Sequence, residues 1–265
     1  MINEKFFTGG LAALVARFII SPLDKLKIIL QMNQNTYSFS TILKNDIKEL
    51  GFRNLWKGNL VNSLRIFPYS GTQFYIYDKC KTNFNLNNNI FLEKIIFGSI
   101  AGITAITITQ PLDVIRHRLM YYQTKNIKLT LKDIYKEKGI ISFYRGYLSS
   151  IIGLTPYIAI NFSSYDILKN TIFNNYNYNS DTTLLASSSL SGIISQTICY
   201  PLDTIRRRMH VKENNSIIKT TKNIIINEGV KNLYKGMYLN IVKTVPHNIV
   251  RFYIFEKLNT LIINN

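Results

Sequence analysis

Long apolar runs alternate with short polar breaks along this chain, and the alternation has a period. Ile95 to Leu112, Gly146 to Tyr165 and Thr182 to Leu202 carry no charge. Each is close to the roughly 20 residues that a helix needs to cross a bilayer. The first long segment runs from about Lys5 to Met32, interrupted by one charge at Arg17, and the polar stretch from Asn33 to Ser38 ends it. From Thr41 to Leu50 the apolar residues Ile42, Leu43, Ile47 and Leu50 fall at helical spacing. Gly51 then stops this short amphipathic helix, as a glycine after a helix C-terminus does. The triplet Trp56-Lys57-Gly58 opens a second long segment, which carries Arg65 and Pro68 and reaches about Lys81. Asn83 to Asn89 is an asparagine-rich loop.

The same order recurs twice. The second unit has a long segment from Leu92 to Tyr122, a short helix around Leu129 to Lys138, Gly139, then Tyr144-Arg145-Gly146 and a long segment containing Pro156. The third has Thr182 to Val211, a short helix around Ile217 to Asn227, Glu228-Gly229, then Tyr234-Lys235-Gly236 and a segment containing Pro246. The frame Pro-x-Asp-x-x-base occurs at Pro22, Pro111 and Pro201, spaced by 89 and 90 residues. The triplets and the prolines at 68, 156 and 246 advance by 88 and 90. A period of this length marks three copies of one supersecondary unit. The expected fold is an all-α membrane protein with six transmembrane helices and pseudo-threefold symmetry. It forms a single domain over 1–265, with repeats 1–87, 88–177 and 178–265. Small residues four apart, at Gly9 and Ala13, Gly98 and Gly102, and Ser188 and Gly192, would let the odd helices approach closely in lipid.

Composition narrows the partners. The chain is 46% hydrophobic and 18% charged, with a net charge of +17. That balance points to an anion, whether nucleic acid, a lipid surface or a solute, and the apolar runs weigh against nucleic acid. Cys80 and Cys199 form no CxxC pair and read as buried free thiols. His117, His210 and His247 lack metal-ligand spacing, and there is no glycine-rich phosphate loop or nucleophile motif. An enzyme is therefore not expected, nor a metal or cofactor. No stretch reads as a cleavable signal or transit peptide.

Pro-x-acid-x-x-base, a short helix, then glycine and an aromatic-base-glycine triplet, three times in register over the whole chain, resembles the mitochondrial carrier family. The resemblance implies a barrel of tilted helices around a central cavity that opens alternately to each side of the mitochondrial inner membrane. It implies a matrix gate of Asp24–Arg116, Asp113–Arg206 and Asp203–Lys27, braced by Gln31. Intramembrane charges are costly and nearly always paired, which agrees with such a ring. It also implies a cytoplasmic gate from Tyr77, Asp78, Lys81, Tyr165, Asp166, Lys169 and Glu256, with Asn259 departing from the pattern where a base is usual. The alternative for these residues is helix-end charge among lipid headgroups. Two further departures are Leu50 and Lys138 in place of the acid found at Glu228, and Ile29 in place of the base found at Arg118 and Arg208. The triplets Trp56-Lys57-Gly58, Tyr144-Arg145-Gly146 and Tyr234-Lys235-Gly236 match the family's lipid sites, of cardiolipin type. The family implies a monomer.

Helical phase points to the solute. Arg65, Gly153 and Lys243 each lie thirteen residues before Asp78, Asp166 and Glu256 and share their face. Arg17 lies seven before Asp24, and Gln196 holds the equivalent place in the third unit. Lone cations in apolar helices are functional candidates, although Arg65 could instead reach an interface. Arg17, Arg65 and Lys243, with Arg251 as a fourth candidate, favour a polyanion, and phosphates fit best. In the family, glycine plus an aliphatic residue, here Gly153-Leu154, goes with nucleotide substrates, and Tyr157 would offer the base a stacking face. The other reading of Tyr157 is packing between helices. Pro22 to Gln31 resembles the first signature of coenzyme A and adenine nucleotide carriers, and Arg206-Arg207-Arg208-Met209 begins like that of ADP/ATP carriers but continues His210-Val211. The expected function is an antiporter for coenzyme A or adenine nucleotides. The alternatives are an ADP/ATP or ATP-Mg/phosphate exchanger, and a carrier-fold scaffold without transport.

Overall fold

The computed structural model describes residues 2–32, 39–84, 90–122, 126–175, 180–211 and 216–263. Among them every regular element is helical. The long helices are α1 (Ile2–Met32), α3 (Asn59–Asn83), α4 (Ile90–Tyr121), α6 (Tyr147–Asn175), α7 (Ser180–Val211) and α9 (Met237–Ile263). The short ones are α2 (Phe39–Leu50), α5 (Ile127–Lys138) and α8 (Ile217–Glu228). Each short helix is followed by a 3₁₀ turn that the periodicity did not foretell: Phe52–Trp56, Gly139–Tyr144 and Val230–Tyr234. The aromatic residue of each triplet thus closes a turn rather than opening a helix. The glycine then supplies a left-handed corner, with φ of 82°, 68° and 81° at Gly58, Gly146 and Gly236. A side chain there is opposed twice. Positive φ strains it, and a Cβ would meet Met120 or His210 of the next repeat at 3.0 and 2.6 Å, or Tyr200 of the same repeat at 3.1 Å.

All six long helices run through an internal proline. Proline has no N–H, so the carbonyl four residues earlier loses its helical partner. For Pro22 that carbonyl belongs to Phe18, and the Trp56 indole donates to it at 2.9 Å. The long helices form a closed ring in the order α1, α3, α4, α6, α7, α9, with α9 packing back on α1. Inside the ring α1, α4 and α7 also touch one another. Each short helix packs an isoleucine (Ile42, Ile134 or Ile224) under the second half of the first long helix of its own repeat, α1, α4 or α7.

The closest packing lies one position from the expected stripe. The buried small residues are Ala12 and Ala16, Ala101 and Ala105, and Ser191 and Ser195, which are repeat equivalents. Ser188 and Gly192 line the central cavity instead, and nothing lies within 4 Å of a Cβ built at Gly192. Gly102 does make a close contact, on Leu154. The exterior is apolar. Leu11, Val15, Phe18 and Ile19 on α1, Leu60 and Leu64 on α3, and Ile194 and Ile198 on α7 are all exposed. On hydropathy alone the described segment long and apolar enough to span a membrane is Phe91–Tyr121. The other long helices carry charged or serine-rich inner faces that lower their averages. At 1.5 Å per residue, helices of 25 to 32 residues are about 38–48 Å long, more than the ~30 Å hydrocarbon layer.

Candidate functional site

The three Pro-x-Asp-x-x-base frames converge where α1, α4 and α7 meet. Arg116 bonds Asp24 at 3.0 Å, Arg206 bonds Asp113 at 2.9 Å and Lys27 bonds Asp203 at 3.1 Å. All three expected pairs are therefore formed. Each acid also holds a second cation. Lys243 reaches Asp24 at 2.5 Å, Arg65 reaches Asp113 at 2.8 Å and Arg207 reaches Asp203 at 3.0 Å. Arg65 and Lys243, which helical phase placed midway along the cavity wall, thus reach down to the ring. Their side chains are long enough to cover the gap that Cα positions suggest.

Gln31 is fully buried, but its side chain bonds none of the ring's ion pairs. Its amide donates to the Tyr200 hydroxyl at 3.0 Å and to Thr204 at 3.2 Å. It supports the ring indirectly, because the Lys27 ammonium sits 4.8 Å over the Tyr200 ring. Beneath the ring each repeat ties its first long helix, α1, α4 or α7, to its short helix. Arg208 pairs with Glu228 at 2.5 Å, as the sequence suggests. Arg118 pairs with Glu137 at 2.7 Å, so the acid missing at Lys138 is supplied by the preceding residue. In the first repeat, where Ile29 and Leu50 replace both partners, a different pair forms: Lys25 bonds Asp46 at 2.7 Å with both side chains wholly buried.

Above the ring lies a cavity of two adjoining lobes, of about 310 and 740 Å³. The smaller is lined by Gly153, Leu154, Tyr157, Tyr69 and Arg206, and the larger by Arg17, Asp24, Asn62 and Arg116. Arg65, Tyr157, Gln196, Arg207 and Lys243 border both. The structure therefore brings together Arg17, Arg65, Gly153, Leu154, Tyr157, Gln196 and Lys243. The side chain of Arg251 lies outside the described residues. Arg17 donates to Asn62 at 2.8 Å, and Gln196 accepts from Asn240, whose own oxygen takes a bond from Lys27 at 2.7 Å. Residues missed from the sequence are Arg207, Tyr69, Asn62 and Asn240. Arg207 had a signal, as an extra base beside the ring base. Tyr69 is held by the Arg65 guanidinium, 5.0 Å over its ring.

At the opposite end Asp78 and Lys81 are exposed, while Tyr77, Tyr165 and Asp166 are half-buried. The side chains of Glu256 and Asn259 lie outside the described residues. At the triplets, Tyr234 stacks on Tyr200 with ring centroids 6.3 Å apart, and Arg145 pairs with Glu137 at 2.8 Å. Outside the long helices, partial burial lowers the ammonium pKa of Lys57 and of Lys235.

A closed ring of helices built from three repeats, apolar outside and cationic inside, with a cavity closed at one end by ion pairs, defines a solute carrier rather than an enzyme. The family model described as mitochondrial carrier protein matches residues 2–88, 87–176 and 179–265. The chain belongs to the mitochondrial carrier family. It is 31% identical to mitochondrial substrate carrier family protein P of Dictyostelium discoideum, over 96% of this chain and 92% of that one. It is 32% identical to the mitochondrial adenine nucleotide transporter of Arabidopsis thaliana, over 98% of this chain and 87% of the relative. Identity to the thylakoid ADP,ATP carrier protein of the same plant is 33%, over 97% of this chain and 65% of that protein.

Proposed function

We propose that this protein is an antiporter of adenine-nucleotide-type polyanions, working by alternating access across the mitochondrial inner membrane with six membrane-spanning helices. The observation that carries this reading is the charge of the cavity and its floor. Arg17, Lys27, Arg65, Arg116, Arg206, Arg207 and Lys243 face three acids, Asp24, Asp113 and Asp203, which leaves a surplus of four positive charges. Such a surplus in a shielded site favours an anion of matching charge, and guanidinium groups suit phosphate oxygens. Gly153 lets a flat ring approach, because even a Cβ would meet nothing nearer than Leu202 at 3.6 Å. Tyr157 and Tyr69 supply aromatic faces in the same lobe. The named activity of the Arabidopsis relatives supports adenine nucleotides. Coenzyme A is the second reading, favoured by His210-Val211 where ADP/ATP carriers continue with methionines.

In this reading the closed ion-pair ring is the matrix gate, and Tyr77, Asp78, Lys81, Tyr165, Asp166, Lys169 and Glu256 form the gate at the cytoplasmic end. The triplets at the starts of α3, α6 and α9 hold anionic lipid headgroups of cardiolipin type on a monomeric carrier. The test is exchange by purified protein in liposomes loaded with ATP, ADP, AMP, coenzyme A, phosphate or a dicarboxylate. Uptake should be confined to phosphorylated solutes and should be fastest for those carrying an adenine. Exchange of dicarboxylates without nucleotides, or none at all, would overturn the proposal.

A further inference from the structure

Three seams join the repeats around the ring, and they are not equal. The ring ion pairs are alike at all three, so the difference lies in the layer of bonds just beside them. Between α7 and α1, Arg208 donates to the Gln31 carbonyl at 2.9 Å and the Gln31 amide donates to Tyr200 at 3.0 Å. Between α4 and α7, Arg118 donates to the His210 carbonyl at 3.2 Å, and Gln110 meets His210 at 3.2 Å. Threefold register makes the corresponding residues between α1 and α4 Ile29, Ser21 and Met120. Ile29 has no group to reach the Met120 carbonyl. Met120 is a thioether, and the buried Ser21 hydroxyl finds no hydrogen-bond partner. Among the described residues no hydrogen bond joins α1 to α4 apart from that of Arg116 and Asp24. What fills this seam is an apolar cluster of Ile28, Met32, Met120 and Val211.

We infer that the α1–α4 seam is the one that parts first when the ring opens, so that the gate opens asymmetrically, between the first and second repeats. Two hydrogen bonds present at each of the other seams are missing here. The apolar contact that replaces them is non-directional and tolerates sliding, whereas a bonded seam must break specific partners before it moves. The inference rests on the reading that the ring opens during transport, and its test separates the two.

Single cysteines are placed at Met120, His210 and Gln31 in a background of Cys80→Ser with Cys199→Ser. A membrane-impermeant maleimide is then added on both faces of liposomes exchanging ATP. Replacing His210 or Gln31 removes a bond from that residue's own seam, so the comparison works against the inference. Met120→Cys should still label several-fold faster, up to roughly tenfold for the one ordinary hydrogen bond, to the backbone carbonyl, that each of the other seams retains. Equal rates, or faster labelling at either of the other seams, would overturn the inference. A second arm adds the missing bond. Ile29→Arg with Leu50→Glu copies Arg208 and Glu228, and it should bring labelling at Met120→Cys down to the rate of the others and slow exchange. Unchanged labelling in that variant also sinks the idea. Should Met120→Cys fail to fold, Ile29→Arg with Leu50→Glu alone must raise the melting temperature and slow exchange, and failure of either counts against it. Loss of all uptake in the unmodified protein tests transport itself, not the seam.

Discussion

The buried pair of Lys25 and Asp46 gives the sharpest test of how this fold is held together. In the second repeat the same socket is filled by Val114 and Ile134, both fully buried, and in the third by Thr204 and Ile224. The first repeat alone puts two opposite charges there, at 2.7 and 2.9 Å with no solvent exposure. Removing one partner strands the other charge in an apolar pocket, which costs about 3–5 kcal/mol, whereas replacing both by apolar groups is often neutral or stabilising. For a chain of 265 residues each kcal/mol moves the melting temperature by about 2–4 °C. Lys25→Val alone or Asp46→Ile alone should therefore lower it by about 6–20 °C. Lys25→Val with Asp46→Ile should recover to the wild-type value or above it. The assay is thermal unfolding in mild detergent, read by a thiol-reactive dye. Cys199, 8% exposed in the folded ring, serves as the reporter. If both single variants melt within about 2 °C of wild type, or the double variant is as unstable as the singles added together, the pair is not buried as described and the argument fails.

Three other predictions concern transport. Asp113→Asn removes the partner of both Arg206 and Arg65 and should abolish exchange while leaving a folded protein. Exchanging the charges of Asp113 and Arg206 should restore part of it, and normal exchange by Asp113→Asn would show that the ring is no gate. Lys243→Ala should raise the apparent Km for every phosphorylated substrate by roughly tenfold or more, from a charge-assisted contact of about 1.5–3 kcal/mol. That loss should grow with substrate charge in competition assays. Gly153→Val should abolish competition by nucleotides and coenzyme A while sparing pyrophosphate, and unchanged nucleotide competition would remove the assignment of Gly153 to the base.

Much of this was legible before any coordinates because punctuation and register are local. Acid and base three apart share one helix face, and a threefold repeat lets three such faces meet, so the six charges stood out in the sequence, while which acid takes which base came from the resemblance to the carrier family. Each helix ended within a few residues of where Gly51, Gly139 and Gly229 placed it. The sequence was silent where the answer depended on how far a flexible side chain reaches or which neighbouring turn it meets. Glu137 can replace an acid at Lys138 because Arg118 bends one position along α5. Asp46 and Lys25 lie on two helices whose contact no periodicity reveals. Gln31 binds Tyr200 because that tyrosine, which stands where Ser21 and Gln110 stand in the other repeats, projects between α1 and α7.

The second cations on the ring acids follow a rule that also explains Gly153. Position 65 of the first repeat faces Asp113 of the second, and position 243 of the third faces Asp24 of the first. The same geometry directs position 153 of the second repeat towards Asp203 of the third, and its nearest neighbour is indeed Leu202. A glycine there leaves Asp203 without a partner from the cavity wall. Arg207 supplies it from the same helix, one turn on, where the other repeats have Ile28 and His117. Each acid therefore keeps two cations although one wall position carries no side chain. A buried carboxylate held by two bases costs less than one held by a single base. The exchange thus gives the cavity a smooth wall at Gly153 without weakening the floor. That asymmetry agrees with the proposed solute, with a flat ring at one end and phosphates at the other: cations lie along Arg65, Lys243 and Arg207, and the open backbone lies at Gly153, beside Leu154 and Tyr157 in the same lobe.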